Sequence, residues 1–269
     1  MIARVEFRAE QFAADGFLIV RKLLDDREIS IIRESLTNDP EIRAHMFMPE
    51  DESGARTGIA VWNHPGNSSY GLLARSEPVV SVFESMLGGE VYHYHSKLTA
   101  KAACTGGAWE WHQDYDYWYG FGCPEPRMGS VMVAVDKADR DNGCLQVIRG
   151  SHEQGLLPHD AIGTQRGVDE LTVRKLLADH DHIYVELDAG DAVFFHCNTV
   201  HRSDANRSPR RRWSLLSCYN AASNASPEAI VHPGYTPLLK VSGDEIRRTG
   251  VRFADGVAED FLNRPKSVG

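Results

Sequence analysis

The run Trp109-Glu110-Trp111-His112-Gln113-Asp114-Tyr115-Asp116-Tyr117-Trp118 decides how this chain is read. Its first part, Trp109 to Tyr115, reads as a short strand. On an extended strand residues i and i+2 share a face, so His112 and Asp114 can be aimed at one metal ion. A third ligand has to come from elsewhere in the chain. Two histidines in VFFHCNTVHRS offer themselves: His196, which closes an apolar strand and suits a core position, and His201, which lies just beyond it, 87 residues after Asp114. The turn-rich segment that carries His201 leads on to Arg212, which favours His201 and leaves His196 open at this point.

Two imidazoles and one carboxylate on one face of an octahedral ion leave three positions open, the arrangement associated with non-heme Fe(II) oxygenases. Those positions suit a bidentate 2-oxo acid and dioxygen. Alone the His-x-acid triplet is weak: with 12 histidines and 38 acidic residues in 269, chance supplies one or two. Arg212 adds weight. It opens the run RRWSLLSCYN, and a guanidinium there can hold the distal carboxylate of 2-oxoglutarate through two parallel hydrogen bonds, which lysine cannot reproduce. Ser214 shares its face, while Arg210 reads as solvated surface charge. Two other classes stay open: a jelly-roll metal-binding protein without oxygenase activity, and a zinc hydrolase, which needs a nearby general base and has no use for Arg212.

Composition narrows the field. The length is within the range of a one-domain barrel or sandwich, and 42% apolar residues supply a sizeable core. A net charge of −9 argues against nucleic acid or an acidic membrane as partner, leaving a small molecule as the expected one. No apolar run approaches 18 residues and the N-terminus carries no signal-peptide pattern, so a soluble, cytoplasmic protein is expected. Cys104, Cys123, Cys144, Cys197 and Cys218 are scattered, without a CxxC pair, and read as reduced. Oligomeric state is not legible.

The chain opens with helical patterning. Arg8 to Ala14 closes at Gly16, GFLIV follows as a strand, and Asp25 to Leu36 begins with a capping-box-like Asp25-x-x-Glu28. A further helix spans Glu77 to Leu87, with Ser76 as N-cap and Gly88 past its end. Strands then dominate: Val91 to Lys101, Trp109 to Tyr115, Ser130 to Asp136, Cys144 to Ile148, Ile183 to Leu187, Asp191 to His196 and Arg212 to Asn220. One helix, Asp169 to Asp179, interrupts them. The expected fold is an all-β core with flanking helices, a double-stranded β-helix (jelly roll, cupin-like) in a single domain over residues 1–269. Its parts are a helical N-terminal layer (about 1–88), the main core (about 89–222) and a C-terminal extension (about 223–269).

Beyond the iron motif, HYHSKLTAKAACTGGAWEWHQDYDYW, DNGCLQVIRGSH and FFHCNTVHRS followed by Arg212 resemble, in this order, the phytanoyl-CoA dioxygenase (PhyH) superfamily of Fe(II)/2-oxoglutarate oxygenases. The stretch from His93 to His152 is similar to ectoine hydroxylases, and YTPLLKV near the C-terminus also fits the superfamily. The resemblance implies that His112, Asp114 and His201 bind Fe(II), that Arg212 binds the 2-oxoglutarate tail, and that Lys101 and Ser130 contact 2-oxoglutarate. It also implies dioxygen as cosubstrate and succinate and CO2 as products. Asp114 favours hydroxylation, since halogenating relatives have a small residue there.

Departures from the ectoine hydroxylase pattern bear on the substrate. His95 stands where those enzymes carry a glutamine that holds ectoine, Lys97 where arginine is usual, and Thr99 where they have asparagine, which argues against ectoine. By strand alternation His93, His95, Lys97, Thr99 and Lys101 share one face, polar and basic, able to hold an anionic group. After Asp114 the aromatic run offers faces for an ammonium or quaternary ammonium, with Tyr115 and Trp118 the preferred pocket members. Trp62 is expected on a loop closing the mouth, and residues 155–181 form either a lid or a plain surface excursion. The substrate reading is a small zwitterion: an amino acid derivative, a betaine-like compound or an aminoalkylphosphonate. A larger natural-product or acyl substrate is the alternative.

Overall fold

Period-two patterning and well-placed helix caps organise residues 8–226 and 231–262, the part of the chain that the computed structural model describes. In order come α1 (Ala9–Asp15), β1 (Phe17–Val20), α2 (Asp26–Asn38), α3 (Pro40–Ala44), β2 (Gly58–Trp62), α4 (Ser69–Ala74) and α5 (Glu77–Leu87). β3 (Val91–Lys101), β4 (Trp109–His112), α6 (Asp114–Gly120), β5 (Met128–Ala134) and β6 (Leu145–Ile148) follow. The hairpin of β7 (His159–Ile162) and β8 (Gln165–Val168) precedes α7 (Glu170–Asp179). Then come β9 (His182–Val185), β10 (Ala192–His196), β11 (His201–Ser203), β12 (Arg212–Ala221) and α8 (Glu245–Thr249).

Two facing antiparallel sheets make the jelly roll. The larger runs β1-β10-β5-β12-β3-β2 and the smaller β4-β11-β6-β9. Between them Phe17, Met132, Leu145, Val147, Val193, Phe195 and Leu216 form an apolar filling. The outer face of the large sheet is covered by the helical layer. Here α2 starts on a complete capping box at Asp25 and Glu28 and buries Ile29, Ile32 and Leu36, one stripe of a 3.6-residue period, in the same core as Leu98, Phe194 and Tyr219. Each such fully buried side chain contributes about 1.5–3 kcal/mol. Gly16 ends α1 at φ 78°, where an added Cβ would lie 2.5 Å from the His152 ring, so the turn into β1 admits only glycine.

Several expectations need correction. The strand from Trp109 ends at His112, because Asp114 already opens α6. Asp114 and Asp116 sit in the favourable first turn, and Tyr115 and Trp118, one helical turn apart, are buried. Trp62 is no lid residue: it lies in β2 and is buried against Tyr70 and Phe261. The N-terminal layer also lends β1 and β2 to the large sheet as its two edges, the second without any recognised signal. In β3 the pairing with β12 slips between Cys218 and Tyr219, which oppose His95 and His93. This bulge turns His93 away from the row of His95, Lys97 and Thr99, towards Ser96 and Tyr219. Among the described residues no helix is long and apolar enough to cross a membrane.

Candidate active site

The small sheet brings the histidines together. His201 on β11 pairs directly with His112 on β4, and the tilted rings lie 4.1 Å apart, centroid to centroid. Asp114 reaches the same point from the first turn of α6. One donor atom from each of the three residues falls within 4.8 Å of the others, and all three side chains are buried. His196 is elsewhere, beside His152.

The donor chemistry fits a divalent metal. His112 Nδ1 donates to the Glu110 carbonyl (2.7 Å) and His201 Nδ1 to the Thr199 carbonyl (2.9 Å), so in both rings the proton is fixed away from the triad and Nε2 presents its lone pair. Burial lowers both imidazoles, His112 to about 3, which keeps them neutral and able to ligate. For Asp114 burial acts the other way, raising its pKa. Lys97, the two imidazoles and the Ser130 hydroxyl outweigh it and hold the carboxyl at about 2. Ser130 donates to Asp114 Oδ2 (3.0 Å) and Lys97 approaches Oδ1 (3.4 Å).

Gln113, between the two candidate ligands, was not singled out from sequence and is fully buried. Its amide donates to the carbonyls of Gly155 (2.8 Å) and Asn198 (2.7 Å) and accepts from the Leu157 N–H (2.8 Å). Its own N–H donates to His159 Nε2, and Asp116 on α6 pairs with Arg166 on β8. Residues 155–168 are therefore fastened to the helix that carries Asp114.

Arg212 and Lys101 oppose each other across β12 and β3, both buried. Arg212 donates to the Gly143 carbonyl (2.7 Å) and Ser214 Oγ (3.0 Å), and its Nε has no partner. Burial lowers its pKa to about 10. Lys101 Nζ donates to the backbone carbonyls of Ser203 and Asp204, and burial, with Arg212 alongside, lowers its pKa well below the usual value. Among the described residues neither is ion-paired with a carboxylate. Two buried basic side chains with an orphaned N–H are what a dianionic cosubstrate would complete. Gly143 adopts φ 74°, and a Cβ there would lie 2.1 Å from the Asp204 carbonyl, so glycine lets these two backbones meet beside Arg212.

The profile described as phytanoyl-CoA dioxygenase (PhyH) matches residues 12–214. The chain belongs to the phytanoyl-CoA dioxygenase family. It is a dioxygenase that uses Fe(II), 2-oxoglutarate and O2. It is 29% identical to an L-proline trans-4-hydroxylase from Streptomyces griseoviridis, over 88% of this chain and 96% of that one. It is 31% identical to the ectoine dioxygenase of Bordetella bronchiseptica, over 81% of this chain and 75% of that one. The crystal structure of EctD from S. alaskensis with 2-oxoglutarate and 5-hydroxyectoine superposes with a TM-score of 0.73 at 25% identity, covering 89% of this chain and 88% of that one.

The dioxygenase's expected substrate residues are partly regrouped. Lys97, His95 and Thr99 face the interior, Lys97 against Asp114 and Thr99 over the Ser214 carbonyl (3.4 Å). His95 is not basic, since burial, together with His232 and Lys97, lowers its pKa well below 6.5. Trp118 stands edge-on to His95, ring centroids 5.9 Å apart. Tyr115 spends its hydroxyl on the Cys123 carbonyl and packs among buried aromatics, away from the triad, whereas Tyr117, not preferred from sequence, lies edge-on to His112. Helical spacing, once recognised, places Tyr117 and Asp114 on one side of α6. His232, stacked on His95 at 4.4 Å, carried no signal in the sequence.

Proposed function

We propose that the enzyme hydroxylates an unactivated C–H bond of a small zwitterion, an amino acid derivative, betaine-like compound or aminoalkylphosphonate, releasing succinate and CO2. In this reading His112, Asp114 and His201 hold the iron, which supplies the oxidising chemistry when bound with 2-oxoglutarate and O2. Arg212, Ser214 and Lys101 hold the far carboxylate of 2-oxoglutarate, and Ser130 orients Asp114 rather than touching the cosubstrate. Lys97 attracts the substrate's anionic end while His95, Thr99 and Trp118 shape the space beside it.

The observation that carries the substrate class is Lys97 itself: a mostly buried ammonium 3.4 Å from the candidate ligand Asp114, on the same interior face as His95. A screen of amino acids, betaines and aminoalkylphosphonates for Fe(II)-dependent succinate release, with anaerobic controls, tests it. Zwitterions are expected to stimulate release and uncharged analogues are not. Stimulation only by acyl thioesters or large natural products would favour the larger-substrate reading. A net charge of −9 and five free cysteines support a cytoplasmic site of action without a nucleic-acid partner.

A further inference from the structure

Three imidazoles and one amide meet at the end of β3 opposite to Lys101. Asn63, just past β2, is held twice by Asp260: its backbone N–H donates to the Asp260 carbonyl (3.1 Å) and its Nδ2 to the Asp260 carboxylate (2.7 Å). Asp260 takes a left-handed φ of 52° to make both contacts, a conformation Asp tolerates better than most residues. A carboxylate only accepts hydrogen bonds, so the Asn63 amide can be oriented one way. Its Oδ1 therefore faces His232 Nδ1 at 2.7 Å.

An amide oxygen also only accepts, so His232 Nδ1 must carry the ring proton. Burial, with a smaller push from the Lys97 charge, holds this imidazole at about 4, leaving it neutral near pH 7 with a bare lone pair on Nε2. Among the described residues no donor reaches that Nε2. His93, by contrast, is satisfied on both sides, donating from Nδ1 to the Asn63 carbonyl (3.1 Å) and accepting at Nε2 from Ser96 (2.7 Å). His95 beside it is 4% exposed, and its buried Nδ1 has no hydrogen-bond partner. The two rings stack at 25°, with Tyr94 and Trp118 around them.

We propose that His232 and His95 form the subsite for a protonated primary or secondary amine of the substrate, which donates its N–H to the His232 Nε2 lone pair, and that Asp260 and Asn63 set the tautomer that makes this possible. The inference rests on the zwitterion reading and narrows it. An aromatic cage alone favours a quaternary ammonium. A buried His232 Nε2 lone pair without a donor favours a cation that has hydrogens to give, and a permethylated nitrogen leaves it unpaired.

Matched pairs test this in the full chain loaded with Fe(II) and 2-oxoglutarate under anaerobic conditions, by titration calorimetry. One pair is L-proline and its N,N-dimethyl betaine; another is 2-aminoethylphosphonate and its N-trimethyl derivative. The amine of a binding pair is expected to bind roughly tenfold or more tighter than its methylated partner. H232F should bring that ratio near one and H232Q, which keeps an acceptor, should restore part of it, with 2-oxoglutarate affinity unchanged in both as the control for folding. Equal or tighter binding of the methylated member, or a ratio untouched by H232F, overturns this inference alone. Failure of every pair to bind overturns the zwitterion reading and this inference with it. Long-range 1H–15N NMR of metal-free, 15N-histidine-labelled protein gives an arm that needs no ligand: a proton on His232 Nδ1 supports the proposal, and a proton on Nε2 overturns it.

Discussion

Arg212 and Lys101 sit directly opposite each other on β12 and β3, two buried basic side chains side by side with no carboxylate ion-paired to either among the described residues. Isolated buried charge is costly, and a fold retains it where a ligand completes it. Binding of 2-oxoglutarate should therefore stabilise the protein strongly, by about 2.7 kcal/mol at 100 times its Kd. R212A should raise the KM for 2-oxoglutarate roughly 100-fold or more through the loss of charge-assisted hydrogen bonds, and abolish the ligand's thermal upshift. R212K should recover little, since an ammonium lacks the two-pronged geometry. Steady-state kinetics with thermal melts read both.

Gly143 tests the same region through the backbone. G143A pushes a Cβ against the Asp204 carbonyl and strains a left-handed residue whose own carbonyl holds Arg212. A loss of about 1–3 kcal/mol in chemical denaturation is expected, with a raised KM for 2-oxoglutarate.

Gln113 ties the turn that carries Asp114 to residues 155–157 and 198 through three hydrogen bonds. Q113L should cost about 2–4 kcal/mol of stability and weaken Fe(II) binding roughly 10- to 100-fold, while the KM for 2-oxoglutarate, measured at saturating iron, changes less. Metal titration against a competing chelator separates this from general unfolding.

Lys97 carries the substrate assignment. K97A should lower kcat/KM for the zwitterion roughly 10- to 100-fold and leave 2-oxoglutarate affinity near its original value. Unchanged turnover of the substrate would remove the basis for an anionic group there.

Buried histidines set the acid response. Burial lowers His93 to about 3 and His196 and His232 to about 4, from about 6.5 in the unfolded chain. Depressed folded pKa values mean that the unfolded state binds more protons below pH 6.5. The stability that these groups contribute is thus full above pH 6.5 and is lost as pH falls towards 4, at up to about 1.4 kcal/mol per pH unit for each ring. Urea midpoints of metal-free protein at pH 7, 6 and 5 should fall steadily, and a flat profile would contradict the buried neutral rings.

How far the fold was legible follows from local physics. β3 begins and ends where its patterning says, and α5 lies between Ser76 and Gly88 as its caps say, because these signals are local. The strand-to-helix switch at Asp114 was hidden because Tyr115 and Trp118 suit a strand as well as a helix, and contacts with Cys197 and residues 155–168 decide between them. The bulge that turns His93 outward depends on the register of β12, and the neutrality of His95 depends on burial, so neither could be read from alternation. The candidate ligands His112, Asp114 and His201 and the candidate anchor Arg212 were named from residue type and spacing together with the family resemblance. His232 and Gln113 are placed by partners distant in the chain and left no local trace.

The most direct test of the account is succinate formation from 2-oxoglutarate by the purified chain, compared with its D114A variant and with Zn(II) in place of Fe(II). The account predicts succinate that requires both Fe(II) and O2, rises on adding a small zwitterion, and is lost in D114A. Absence of succinate with Fe(II) and every substrate tried, or hydrolytic activity supported by Zn(II), would contradict it.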